Sequence, residues 1–136
     1  MTTTPLTVGD HLTDLVIEPI SRTTLALFAG ASGDHNPVHI DSDVAASAGL
    51  DDVFAHGMLS MAYLARLLTD NFGIDNVRSY RTRFASITPV HGQPTCRGVV
   101  REVSEVDGER LATLDLTVEL SDGTTTMLGE AVISLD

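Results

Sequence analysis

The stretch Gly33-Asp34-His35-Asn36-Pro37-Val38-His39 carries a carboxylate, a carboxamide and two imidazoles in seven residues. Asp34 and His39 together suit the handling of one water. Free aspartate titrates at about pH 4 and free histidine at about 6.5. A neighbouring carboxylate favours the imidazolium, and burial opposes it. A pair balanced in this way exchanges a proton near neutrality, which is what general acid–base catalysis requires. Asn36 offers both a donor and an acceptor, so it can orient either partner or the backbone. The spacing leaves a second reading open. Asp-x-Asn-Pro is turn chemistry in its own right, and a hydrogen-bonded turn needs no reaction to explain it.

A metal reading fares less well. His35 and His39 are four residues apart, a spacing that binds zinc from one face of a helix. Pro37 lies between them and interrupts such a helix. No glutamate follows His35, and His56 and His91 lie elsewhere in the chain. No metal and no cofactor is therefore assigned. The dipeptide His56-Gly57 is a further point of interest, because it precedes a long apolar segment. The first N–H groups of a helix lack internal partners and sit at its positive end. A glycine there lets a substrate carbonyl approach the backbone closely. That describes an oxyanion hole, or equally a tight helix start.

The elements that must position these residues follow from periodicity and turn residues. Residues 8–17 read as a short strand. Ser21 is an N-cap for a helix carrying Leu25, Leu27, Phe28 and Ala29. Gly30 and Gly33 loosen the chain before Asp34, and Pro37 makes 34–39 a turn or loop. Asp41 caps a short helix through Ala48, with Gly49 as its stop. The segment from His56-Gly57 to Leu68 is apolar nearly all round, which implies burial on most sides. At about 14 residues it is too short for a bilayer. Residues 77–85, 95–106, 111–120 and 124–135 read as strands, joined by Thr88–Gly92, by the hairpin signal Asp107-Gly108 and by Ser121-Asp122-Gly123. These predict a four-stranded meander bent around the buried helix, an α+β fold in one domain spanning 1–136.

Composition narrows the function. The 136 residues are 43% apolar, enough for a core, and the net charge is -11. Such an acidic chain repels a phosphate lattice, which argues against nucleic acid and anionic membrane surfaces. The one cysteine, Cys96, excludes an internal disulfide and reads as a small strand residue in a reducing compartment. Met1–Pro5 has neither a basic nor an apolar signal region, so a cytoplasmic location is expected. All eight basic residues are arginine, and six of them (Arg78, Arg81, Arg83, Arg97, Arg101 and Arg110) fall in one third of the chain. They are either solvated strand positions or a local site for an anionic ligand.

The pattern Phe28-Ala29-Gly30-x-Ser32-Gly33-Asp34-x-Asn36-Pro37-x-His39, followed by Ala55-His56-Gly57-Met58-Leu59 and later Phe84…Pro89-Val90…Gly92, resembles the MaoC-like hydratase/dehydratase family, also called hydratase 2. The likeness runs from about residue 8 to 135. It implies the hot-dog fold, in which a sheet wraps a central helix and two copies pair. It also implies (R)-specific, reversible addition of water to trans-2-enoyl thioesters. On this resemblance Asp34 and His39 fall on the catalytic pair and Gly57 on the oxyanion-hole glycine. Asn36 and His56 become substrate-orienting residues. Arg81, Arg83 and Arg97 become candidates for the phosphates of an acyl-CoA or acyl-carrier-protein substrate.

Gly92-Gln93 departs from the Gly-Asp frequent in the family, and His35 falls on a variable position and receives no role. Three alternatives accompany this reading. One is a carrier-protein dehydratase of fatty-acid elongation. Another is a non-catalytic hot-dog partner, against which the intact Asp34/His39 pair argues. The third is an acyl thioesterase, disfavoured because no carboxylate lies between Gly57 and Thr69. A homodimer is the expected assembly, with a sister-subunit heterodimer as the variant.

Overall fold

The computed structural model describes residues 5–136. Strand β1 (Leu15–Val16) is followed by helix α1 (Arg22–Ser32), a 3-10 turn (Pro37–His39), helix α2 (Ser42–Ser47) and helix α3 (Gly57–Phe72). A second 3-10 turn (Ile74–Asn76) leads to strands β2 (Val77–Phe84), β3 (Pro94–Val106), β4 (Glu109–Leu120) and β5 (Thr125–Ser134). The five strands form one sheet in the order β1-β3-β4-β5-β2, with every pairing antiparallel. This is the hot-dog arrangement expected from the sequence.

Two expectations are corrected. The meander comprises only β3, β4 and β5. Strand β2 pairs with β5 at the far edge, Tyr80 opposite Ala131 and Phe84 opposite Met127. The chain from Ala85 to Gln93 therefore crosses from one side of the sheet to the other. Turn signals between strands specify a change of direction but not which neighbour the next strand joins. The second correction concerns residues 8–17. Only Leu15–Val16 is regular strand; before it the chain tracks the edge of β3 through single bonds, Gly9 N–H to Val100 O at 2.8 Å and Leu12 N–H to Gly98 O at 2.9 Å.

Alternation decides which face meets the helix. Cys96, Gly98 and Val100 of β3, Ala112, Leu114, Leu116 and Val118 of β4, and Met127, Ala131 and Ile133 of β5 all point inward. They bury Leu64, Leu67 and Leu68 of α3. Register shifts interrupt each of the three long pairings, at Val77/Ser79, Val100/Glu102 and Val118/Glu119. Such bulges bend and twist strands, and 12- and 13-residue strands need that bend to curve around one helix. Asp107 and Gly108 both take positive φ, 52° and 82°, as the two-residue β3–β4 hairpin requires. Burial pushes the Cys96 thiol up to about 12, so it is an inert core group.

Helix α3 is less enclosed than its composition suggests. Leu59, Ser60, Leu64, Leu67 and Leu68 are buried, while Met58, Ala62 and Arg66 face outward in the single chain. A second cluster of Ile20, Leu25, Ala45, Val53, Ala55, Leu59 and Val90 packs α1, α2 and the approach to α3 together. That cluster is the platform under the Asp34–His39 loop.

Candidate active site

Local capping shapes the loop that carries the charged residues. Ser21 Oγ accepts from Thr24 N–H at 3.0 Å and starts α1, as expected. Gly33 ends α1 in the left-handed region, its N–H returning to Ala29 O. Asp34 Oδ1 then accepts from Asn36 N–H, and Asn36 Oδ1 accepts from Val38 N–H, each at 3.2 Å. Pro37 opens the 3-10 turn that delivers His39. The turn reading and the chemical reading are therefore both present. Asn36 shapes the turn, and the turn sets Asp34 beside His39.

His39 is buried and its ring is fixed from behind. Nδ1 lies 2.7 Å from Phe54 O. A carbonyl only accepts, so Nδ1 carries the proton and Nε2 of the neutral ring keeps its lone pair. Nε2 faces Asp34 Oδ2 at 4.0 Å. That gap is too long for a direct hydrogen bond and suits one water held between the two. Asp34 is exposed, so the pair opens to solvent on its acidic side.

His56 is only 1% exposed. Its ring stacks on His39 with centroids 3.9 Å apart and planes at 27°. Nε2–H donates to the backbone carbonyl of Asp34 at 3.1 Å. Burial holds the imidazole below its ordinary range, so it stays neutral near pH 7. His56 thus ties the start of α3 to the loop that bears the carboxylate. Phe28 meets its ring edge-on at 4.9 Å. The substrate-orienting role expected of His56 from sequence thus falls to a ring that is buried against His39 and away from solvent.

Asp34, His39 and His56 place one ligand-type atom each within 4.8 Å of one another, a grouping other than the His35/His39 spacing considered from sequence. The ring lone pairs lie in the planes of the imidazoles. Two stacked planes do not bring them to one point at the ~2.0–2.1 Å that a metal needs. The arrangement suits proton handling better.

Gly57 is the first residue of α3, and no side chain caps that end. Its N–H has no partner within the helix. A Cβ at Gly57 would lie 2.9 Å from Cε1 of Phe84, so the aromatic ring of β2 occupies the space that glycine leaves. Gly57 and Phe84 also line a cavity of about 310 Å³ with Phe54, Ser60, Thr88 and Thr126. Phe54 joins this cavity to the pair, because its ring meets His39 edge-on at 4.8 Å. The approach to α3 is pinned by Ala55 N–H to Thr88 O at 2.8 Å.

The arginines lie elsewhere. Arg81 and Arg83 sit opposite Glu130 and Leu128, and Arg97 opposite Thr117, all on the sheet face turned away from α3. Arg81 pairs with Glu130 at 2.9 Å, and Arg97 with Asp14 at 3.2 Å and Glu119 at 3.6 Å. Arg101 bridges Asp115 and Glu130, which holds the Glu130 carboxyl below its usual range. Arg83 forms no ion pair among the described residues.

Sequence reading missed three contributors. Phe54 acts through its carbonyl, which no side-chain pattern reveals. Ser60 was hidden in an apolar helix. Thr126 lines the cavity only because β5 lies beside β2. Met58, Met61, Tyr63, Leu64 and Phe72 do not line this cavity; Leu64 is core, with Met61, Tyr63 and Phe72 against it.

Comparison with known proteins agrees with this architecture. A family model described as "MaoC like domain" matches residues 5–123. The chain is 30% identical over 113 residues to the 3-hydroxyacyl-thioester dehydratase Z of Mycobacterium tuberculosis, covering 74% of this chain and 72% of that protein. Among solved structures it is similar to the unliganded R-hydratase PhaJ1 of Pseudomonas aeruginosa, with a TM-score of 0.82, 27% identity, and 94% and 81% of the two chains covered. The (R)-hydratase of A. caviae involved in PHA biosynthesis gives a TM-score of 0.82 at 25% identity, covering 96% and 98%. The chain belongs to the MaoC-like dehydratase family and is a hydratase/dehydratase, a hydro-lyase built on the hot-dog fold.

Proposed function

We propose that this protein adds water, reversibly and with (R) stereochemistry, to trans-2-enoyl thioesters. One observation carries the reading. Phe54 O fixes the His39 tautomer so that a free Nε2 faces Asp34 Oδ2 across 4.0 Å. A water between them gives one hydrogen to each. The thioester carbonyl rests at the Gly57 N–H, where the positive end of α3 favours developing negative charge. That polarisation makes C3 electrophilic. The water oxygen bonds to C3 while His39 Nε2 takes one of its protons. The carbon–carbon double bond becomes an enolate, and the imidazolium returns the same proton to C2. Asp34 stabilises the transient imidazolium, and the pair ends as it began. Both bonds form on one face, so the addition is syn.

In this scheme Asn36 positions the Asp34–His39 turn and His56 holds the Asp34 backbone. Acyl-CoA is the preferred substrate, and the carrier-protein thioester is the alternative. Arg83, exposed and unpaired among the described residues, is the arginine left to meet an anionic carrier. The assembly is a homodimer, supported by the open edge of β2 and by the exposed Phe84 and Ile87 beside it.

The test is direct. Crotonyl-CoA should lose its enoyl absorbance without releasing thiol, and the product should be the (R)-3-hydroxy thioester. Thiol release at the rate of absorbance loss would indicate a thioesterase instead and overturn the proposal.

A further inference from the structure

Two buried side-chain polar atoms among the described residues have no hydrogen-bond partner in the protein, His56 Nδ1 and Ser60 Oγ. Ser60 is 3% exposed. A buried hydroxyl left unpaired is destabilising and calls for a reason. A serine inside a helix commonly returns its proton to the carbonyl four residues back. Here that carbonyl is His56 O, which accepts from Leu59 N–H at 3.0 Å. The Ser60 hydroxyl makes no such bond. Side chains of a helix lean toward its N-terminus, and the turn on that side of Ser60 is the one that begins with Gly57. Ser60 and Gly57 line the same 310 Å³ cavity. Two other buried residues with hydroxyls line that wall, Thr88 and Thr126, and Thr126 Oγ1 is already engaged with Val118 O at 3.4 Å.

We propose that Ser60 Oγ–H is a second donor to the thioester carbonyl oxygen, forming with the Gly57 N–H a two-donor site for the enolate. The inference rests on the reading of this cavity as the enoyl-thioester site. Its logic is that of transition-state binding. The carbonyl oxygen gains charge as the enolate forms, and a donor already aimed at that oxygen needs no rearrangement. The unpaired hydroxyl then has its reason: the protein supplies no acceptor because the substrate does.

The experiment uses crotonyl thioester, whose acyl part carries a single oxygen. Ser60→Ala should lower kcat by on the order of 10²-fold with little change in KM, because loss of one such donor acts mainly on the transition state. Ser60→Cys keeps the volume with only a weak donor and should fall similarly. A second reading comes from acetoacetyl thioester, whose bound enolate is followed by absorbance. Its enolisation pKa on the enzyme should rise by roughly one unit or more in Ser60→Ala. Unchanged kcat and unchanged enolisation in Ser60→Ala, beside an active wild type, would overturn the role of Ser60 alone. Full turnover by Ser60→Cys would reassign the effect to packing and overturn it too. A wild type that leaves crotonyl thioester untouched would overturn the underlying function instead, and this inference with it.

Discussion

The Nδ1–H of His39 donates to the carbonyl of Phe54 at 2.7 Å, fifteen residues away in the chain. That one bond selects the tautomer and aims Nε2 at Asp34. It also joins the Asp34–His39 loop to the wall of the cavity beside Gly57, since Phe54 meets His39 and lines that cavity.

Asp34→Asn and His39→Gln should each lower turnover of crotonyl thioester by roughly 10²–10⁴-fold. Asp34 is exposed and His39→Gln keeps a polar group near Phe54 O, so both variants should retain the wild-type circular dichroism spectrum. Near-normal hydration by either would remove the pair from the mechanism.

Gly57 has two reasons to be glycine, and they separate experimentally. A Cβ would meet Phe84 at 2.9 Å, and a Cβ would also crowd a carbonyl approaching the N–H. Gly57→Ala should lower kcat/KM by at least about tenfold. Phe84 is 56% exposed and its ring is replaceable, so Gly57→Ala with Phe84→Ala relieves the clash. If the backbone approach matters, the double variant stays slow. Recovery of wild-type rates would show that the glycine serves only Phe84.

Stability should depend on His56 through acid. Burial lowers its pKa in the folded chain from 6.5, so the native state holds it neutral while the unfolded chain protonates it. Its contribution is fully present above pH 6.5 and is lost as pH falls from there toward the depressed folded value. Thermal melts of wild type should drop across that window. His56→Phe should be less stable at neutral pH, having lost the bond to Asp34 O, and its melting temperature should vary less with acid. Parallel pH profiles would contradict the assignment.

The arginines divide by their partners. Arg83→Gln should raise KM for a CoA thioester severalfold, with kcat retained and the difference shrinking in salt. Arg81→Gln and Arg97→Gln should leave KM close to wild type, because Glu130 and the Asp14/Glu119 pair already hold those guanidinium groups. Equal effects at all three positions would point to a diffuse field instead.

Much of this protein was legible in order along the chain. Ser21 and Asp41 cap their helices where local rules put them, because caps are decided by three or four adjacent residues. The inward set Ala112, Leu114, Leu116, Val118 follows from a period of two. Asp34 and His39 face each other from one turn, and Gly57 opens α3 directly after His56, whose ring stacks on His39. What the chain order could not hold was contact across distance. The pairing of β2 with β5 depends on which edge is free once β3, β4 and β5 have assembled. Arg81 and Arg97 looked like ligands for an anion, and only the packed sheet put Glu130, Asp14 and Glu119 beside them. The burial of His56 and its stacking on His39 are likewise absent from chain order. Residue types and spacing determined which chemistry is available here, since they fix the functional groups. Tertiary packing decided which group is free to act, because tautomers, ion pairs and burial are set by neighbours far away in sequence.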